Sequence, residues 1–316
     1  MPTPSILIVG AGELGTAVLN ALQNHPHHRK QQQPQGSKIA VLRRAQTLQS
    51  TNPQTKEENN RLSSQGIALE AGDFVNSPVS DLASIFARYD VVIQCGGFGL
   101  PAGTQTRVAE AALLAGVERF FPWQFGLDYP AVVGRGSSSS SSKPELFDEM
   151  LRVRELLARQ KGRGTKTKWT VVSTGLFASF LFHPEFGVVD LESRVVTALG
   201  GRENRVTITA PEDIGVMVAE MVYVPEGTLD AVVFVAGDTV SYGELAGRLG
   251  RVYGAEFELR EWDARELERS PDGGMVKYRA VFAAGLGTAW DKERTLNHQR
   301  GIKLLNLEEY LAKHKM

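Results

Sequence analysis

The chain has 316 residues, 42% of them hydrophobic and 22% charged, which excludes a disordered chain and supplies core for one large domain or two ordinary ones. Lys plus Arg number 35 against 36 Asp plus Glu, and the net charge of −1 excludes a globally basic nucleic-acid binder. The single cysteine, Cys95, excludes an intramolecular disulfide and a cysteine-built zinc site.

The opening MPTPSILIVG has no basic segment or long apolar run, and the longest apolar stretch, 170–182, is broken by Ser173, Thr174 and Ser179. A cytoplasmic protein without a membrane span is therefore expected. Residues 5–9 (SILIV) predict a buried parallel strand, and GAGELG follows directly at 10–15. Residues 16–23 then place Ala17, Val18, Ala21 and Leu22 on one helical face. Residues 25–37 are polar and low in complexity and read as a surface loop. His25, His27 and His28 lie there without carboxylates nearby in sequence, so no metal site is expected.

KIAVL at 38–42 predicts a second strand, ending at Arg43 and Arg44. A helix near 56–64 precedes a third strand at 66–70, which ends in Gly72 and Asp73. A helix over 80–88 leads to a fourth strand, 90–94, followed by Cys95, Gly96, Gly97 and Phe98. A helix with an alanine face spans 104–115, with Gly116 as its cap. A fifth strand at 117–122, a serine-run loop at 137–142, a helix over 144–160 and a sixth strand at 167–173 complete the series. Alternation of this kind predicts an α/β protein with a Rossmann-type doubly wound parallel sheet. Beyond 177 the pattern turns to mixed elements at 190–199, 205–209, 211–223 and 241–253. The expected division is a nucleotide-binding domain at 1–177 and a smaller α/β substrate-side region at 178–316. No fixed-period repeat supports a solenoid.

Gly10, Gly12 and Gly15 form G-x-G-x-x-G between a strand and a helix, with Glu13 and Leu14 inside the turn. In that setting the glycines give a tight turn, close backbone approach to a pyrophosphate, and close helix–strand packing. The helix N-terminus offers free N–H groups and partial positive charge to phosphate. NAD sites carry an acid at the end of the second strand, whereas this chain has Arg43 and Arg44. A guanidinium pairs bidentately with a 2′-phosphate, so NADP(H) is expected over NAD(H). The alternative is that both arginines are solvated surface charge. Asp73 either accepts from an adenine amine or caps the turn that follows it. Gly96, Gly97 and Phe98 are expected to border the ribose and pyrophosphate.

These residues, with GVERFFPWQFGLD at 116–128, WTVVSTGLF at 169–177, PEDIG at 211–215 and LLNLEEYL at 304–311, carry a family resemblance. The chain resembles the NmrA and isoflavone-reductase group of atypical short-chain dehydrogenases, whose plant members include phenylcoumaran benzylic ether and pinoresinol–lariciresinol reductases. FPWQFGLDY, LFDEMLRVRELL and VSTGLFASFLF look closest to the fungal isoflavone-reductase-like branch. The resemblance implies that Gly10, Gly12 and Gly15 hold the pyrophosphate and that Arg43, with Arg44 near it, holds the 2′-phosphate. It also implies that Phe177 packs on the nicotinamide and that the loop after 125–128 borders the substrate.

The chain departs from the family pattern at two places. The active-site lysine of the plant reductases falls on Glu149 or Met150, and no lysine lies within 145–160. The serine–glutamate pair before Phe-Gly is replaced by Trp123 and Gln124. Tyr-x-x-x-Lys is also missing. Hydride addition to a carbonyl, enone or quinone methide leaves an oxyanion that needs a proton or electrostatic support. Tyr129 and His183 are the candidate donors, with a packed loop aromatic and a solvated turn residue as their respective alternatives; Lys143 is nearby in sequence. Trp123, Phe125, Phe177, Phe180 and Phe182 either line an aromatic substrate pocket, with Asp128 as a further substrate-site candidate, or in part belong to the core. Cys95 reads as a small buried hydrophobe. The expected function is NADPH-dependent reduction of a small aromatic or polyketide-like substrate by a monomer or homodimer, with no nucleic-acid partner. The alternatives are a non-catalytic NADP-binding redox sensor and a redox-neutral cyclase, dehydratase or isomerase.

Overall fold

A computed structural model describes residues 4–30, 39–97, 99–134, 147–160, 166–262 and 273–314. Phe98, the serine run and Lys143 lie outside the described residues. The strands are β1 (Ile6–Val9), β2 (Ile39–Arg43), β3 (Ala68–Ala71), β4 (Val91–Gln94), β5 (Arg119–Phe121), β6 (Lys168–Ser173), β7 (Leu176–Phe177), β8 (Val189–Asp190), β9 (Val195–Leu199), β10 (Arg205–Thr209), β11 (Ala231–Phe234), β12 (Asp238–Ser241) and β13 (Glu258–Trp262).

The chain forms two compact units that interleave. One comprises 1–124, 149–171 and 214–232; the other comprises 125–148, 172–213 and 233–316. The expected single boundary after 177 is therefore replaced by several crossings. The reason lies in helix Pro211–Tyr223, most of which returns to the first unit. A Cβ on Gly215 would meet the Ala17 carbonyl at 2.5 Å, so only glycine lets this helix lie against the first one. Arg119, on β5, donates to the Val222 carbonyl at 2.5 Å, placing a cation at that helix's C-terminal end.

The first unit carries most of the seven-stranded sheet, whose order is β11-β6-β5-β4-β1-β2-β3. β1 pairs in parallel with both β2 and β4, so the strand order reverses beside it. Every residue of β1 is fully buried, as a strand covered on both faces requires. Leu7, Val9, Val92, Phe120 and Val171 share one cluster with Phe86, Val108, Ala112, Val153 and Leu157 from the helices. Helix Thr104–Ala115 ends at Gly116, whose φ of 63° and ψ of 37° are left-handed, as its position in the sequence predicts.

Residues Pro26–Lys30 are helical where a loop is expected. Proline suits the first helical position. His25 also has a carboxylate partner after all: its Nε2 lies 3.2 Å from Glu220 Oε2, and its ring stacks on Tyr223 at 4.7 Å. Glu220 lies too far along the chain for local reading to find. No metal-holding group of three His, Cys, Asp or Glu residues occurs among the described residues.

The second unit carries two three-stranded sheets, β12-β10-β7 and β13-β9-β8. The predicted element at 190–199 is an antiparallel pair, β8 and β9, with Arg194 at φ 55° in the turn. Helix Tyr242–Tyr253 begins with a capping box between Ser241 and Glu244. Among the described residues, no helix is long and apolar enough to cross a membrane.

Candidate functional site

β1 delivers the glycine turn to the end of β4, because the two strands are neighbours in the sheet. Gly10 has φ +100°, and a Cβ there would come within 2.6 Å of the Gly96 nitrogen. A Cβ on Gly15 would lie 2.0 Å from the Gly10 carbonyl oxygen, so the helix can start only this close to the strand with glycine there. Gly12 differs: nothing lies within 4 Å of its Cβ position, and as N-cap of helix Glu13–Asn24 it supplies no side-chain hydrogen bond. The turn therefore presents a helix N-terminus that its N-cap residue leaves without a side-chain cap, with open space at the Gly12 Cβ position. Glu13 is exposed, while Leu14 turns into the core and contributes only backbone.

Gly96 and Gly97 form the opposite wall. Cβ atoms on them would strike the Phe74 ring at 2.9 Å and the Trp123 indole at 2.0 Å. Two buried amides hold this wall. Gln94 Nε2 donates to Gln105 Oε1, Gln105 Nε2 donates to the Gly97 carbonyl at 3.1 Å, and Trp123 N–H donates to Gln94 Oε1 at 3.4 Å. Phe74, Gln94 and Gln105 have no motif signal. Cys95 is buried, which pushes its thiol pKa up and suits a packing role.

Arg43 and Arg44 diverge. Arg43 is buried and its terminal nitrogens pair with Glu58, while its Nε is buried with no partner. The reading of both arginines as solvated charge fails for Arg43. Arg44 is exposed. Asp73 resolves toward the turn cap: its carboxylate accepts from Val75 N–H at 3.0 Å, Asn76 N–H at 3.3 Å and Asn76 Nδ2 at 2.8 Å. Burial pushes its pKa up, but the Asn76 and Val75 hydrogen bonds and the Arg44 charge outweigh burial and hold it below the usual carboxylate range. A glycine N-cap with open space at its Cβ position and an orphaned guanidinium nitrogen at the end of β2 fit a phosphorylated dinucleotide.

The two departures from the family pattern prove to be tied into the fold. Glu149 Oε1 accepts the Thr106 N–H at 2.9 Å, capping helix Thr104–Ala115, whose own N-cap, Gly103, has no side chain to do so. Gln124 is fully buried, donates to the Met150 carbonyl at 2.7 Å and accepts from Arg154 Nε at 2.6 Å. Neither position carries a proton-donating cation.

In the second unit the segment 125–129 is pinned from several sides. Thr174 and Gly175 N–H both donate to the Gly126 carbonyl at 3.0 Å, and Asp128 N–H donates to the Gly287 carbonyl at 2.9 Å. Asp128 Oδ2 lies 3.9 Å from Arg294 Nη2. Phe125 and Tyr129 are buried. The Tyr129 ring lies 4.9 Å from Phe147, which is 6.3 Å from Tyr278; Tyr278 in turn lies 5.9 Å from Phe180. His183 stacks on Phe180 at 5.7 Å, and its Nδ1 accepts the Glu185 N–H at 3.3 Å. The structure thus joins Tyr129, Phe180 and His183 into one aromatic run through Phe147 and Tyr278, which no local sequence signal singles out. Burial raises the Tyr278 phenol pKa, and Tyr129 adds to the shift. Phe177 ends β7, in register with Thr209.

A family model described as the NmrA-like family matches residues 2–307. An "NmrA-like family domain-containing oxidoreductase" from Gibberella moniliformis is 44% identical over 310 residues, covering 97% of each chain. The phenylcoumaran benzylic ether reductase Betv6 from Betula pendula is 25% identical over 266 residues, 78% of this chain and 81% of that one. Among solved structures, an isoflavone reductase matches with a TM-score of 0.74 at 20% identity over 99% of both chains. A leucoanthocyanidin reductase–NADPH complex from Vitis vinifera matches with a TM-score of 0.74 at 18% identity, over 98% of this chain and 99% of that one. The structural matches show a shared fold. A family model spanning nearly the whole sequence, and a relative at 44% identity over 97% of both chains, establish that this chain belongs to the NmrA-like family.

Proposed function

We propose that the protein is an NADPH-dependent reductase of a small aromatic substrate. The observation that carries this reading is the glycine cradle together with a buried, partly unpaired guanidinium at the end of β2. Relatives named as oxidoreductases and reductases support it. When bound, NADPH supplies a hydride to the substrate. The N–H groups of the turn at Gly12, Glu13, Leu14 and Gly15 bind the pyrophosphate, Arg43 binds the 2′-phosphate with Arg44 beside it, and Gly96 and Gly97 admit the ribose. The nucleotide is taken by the first unit. Phe177 orients the nicotinamide, and Phe125, Asp128, Phe180 and Trp123 contribute to substrate recognition. Tyr129 delivers the proton to the oxyanion, with His183 as the alternative donor. The protein works in the cytoplasm, a reading that its single cysteine supports, and acts as a monomer or homodimer.

One observation favours a second reading, a non-catalytic NADP-binding sensor: of the two positions on which the plant lysine falls, Glu149 is spent on a helix cap and Met150 has no titratable group. Deuteride transfer from labelled NADPH into a library of phenolic and polyketide-like compounds separates the two. The reductase reading expects label in a product. Tight NADPH binding with no transfer to any compound would favour the sensor. In the active enzyme, Tyr129→Phe is expected to lower kcat at least ~100-fold, while undiminished turnover in Tyr129→Phe and His183→Ala alike would discard both donors.

A further inference from the structure

Arg43 has an occupant. Its side chain is only 6% exposed, and both terminal nitrogens face one carboxylate: Nη2 lies 2.5 Å from Glu58 Oε1 and Nη1 lies 3.3 Å from Glu58 Oε2. Arg43 Nε has no partner. Glu58 sits on helix Pro53–Ser64, and its side chain is 40% exposed.

That helix is anchored without Glu58. Asn52 caps it by accepting the Gln54 and Thr55 N–H groups, at 3.0 and 3.2 Å. Leu62 is buried, and Asn59 Nδ2 donates to the Thr47 carbonyl at 3.0 Å. The backbone at Glu58 is therefore fixed, while its carboxylate can rotate into water.

A carboxylate and a phosphate monoester offer a guanidinium the same thing, two anionic oxygens at the spacing of its fork. They cannot share one pair of terminal nitrogens, because the like charges repel. We propose that Glu58 is a resident stand-in for the 2′-phosphate: it neutralises Arg43 in the free protein and must leave when the phosphate arrives. This rests on the reading of Arg43 as the 2′-phosphate ligand given above. A ligand without the 2′-phosphate leaves the Arg43–Glu58 pair intact, whereas one with it must break the pair. Glu58 therefore selectively weakens NADP(H) and narrows the preference over NAD(H). Half-exposed ion pairs of this type correspond to about a two- to fivefold factor in an equilibrium constant.

The test is calorimetric titration of the full chain with 2′,5′-ADP and with 5′-AMP, which requires no turnover. Glu58→Gln is expected to tighten 2′,5′-ADP about threefold or more and to leave 5′-AMP unchanged. Unchanged or weaker 2′,5′-ADP binding would overturn the proposal, and so would an equal gain for both ligands, which would reflect only a lost negative field. Glu58→Ala, with the same expectation, guards against a Gln side chain that keeps a hydrogen bond to Arg43. Arg43→Ala separates this proposal from its foundation. If that variant loses the preference for 2′,5′-ADP while Glu58→Gln gains nothing, Arg43 binds the phosphate and Glu58 does not compete. If Arg43→Ala binds 2′,5′-ADP as the unaltered protein does, the assignment of Arg43 falls, and the competition falls with it.

Discussion

Asp213 opens the PEDIG segment's helix and is buried, with Oδ2 accepting the Leu305 N–H at 2.7 Å. Burial pushes its pKa up to about 6; Glu212 and Glu309 add to the shift, against the Leu305 hydrogen bond and the Lys313 charge. In the unfolded chain an aspartate titrates near ~3.9. Between those values the folded protein holds more protons than the unfolded one, so this group makes stability fall as pH rises from about 4 to 6. The expected size is roughly 2 kcal/mol. Urea unfolding of the unaltered protein and of Asp213→Asn at pH 4.5 and pH 7 checks this. The variant should lose less stability, or gain more, on going to pH 7. Equal pH dependence in both would refute it. The same residue scale shows the limits of reading locally. Arg43 is legible as a cation at the end of a strand, but Glu58, His25's partner Glu220 and the orphaned Nε are not, because they depend on which helices fold back.

At the scale of elements, hydrophobic runs and glycine punctuation locate most of the fold. Helix Thr104–Ala115, β10 and helix Pro211–Tyr223 fall on the expected bounds because a left-handed glycine, a β-branched run and a proline mark them locally. Helix Pro26–Lys30 is missed because the ring that its His27 and His28 pack against, Tyr223, arrives late in the chain. Helix Thr104–Ala115 has a readable end and an unreadable start: Gly116 caps it locally, but Glu149 caps it from another helix. Glu149→Ala is expected to destabilise the protein by about 1 kcal/mol, the usual effect of losing a side-chain cap. Glu149→Gln should retain part of that, since its amide oxygen still accepts. Denaturant midpoints for the two variants check this, and no loss in Glu149→Ala would show the contact to be idle.

At the scale of the whole molecule, the second unit has an ionic centre. Asp238, 4% exposed in its side chain, accepts from Arg248 Nη2 at 2.6 Å and from the Leu307 N–H at 3.2 Å, and lies 2.8 Å from Lys292 Nζ. Arg248 also grips Glu308 through Nε at 2.7 Å. One carboxylate thus joins β12, helix Tyr242–Tyr253 and helix Leu307–His314. Burial pushes the Asp238 pKa up, but the Arg248 and Lys292 contacts outweigh burial and hold it below the usual range. Removing one member of such a group strands the others. Asp238→Ala should destabilise by about 3 kcal/mol, read as a lower denaturant midpoint, and a change under ~1 kcal/mol would mean that the group behaves as surface charge.

The sequence by itself determined the α/β class, the alternation of strands and helices, and the glycine turn after β1. Those features depend on side-chain period and on backbone freedom within a few residues. Tertiary structure alone decided that the chain divides into two interleaved units and that a carboxylate rests on Arg43. It also decided that Glu149 serves as a cap and that Tyr129 and His183 belong to one aromatic run. Each of these is a pairing between distant segments, and no local pattern records which distant side chain will complete a buried charge or an open helix end.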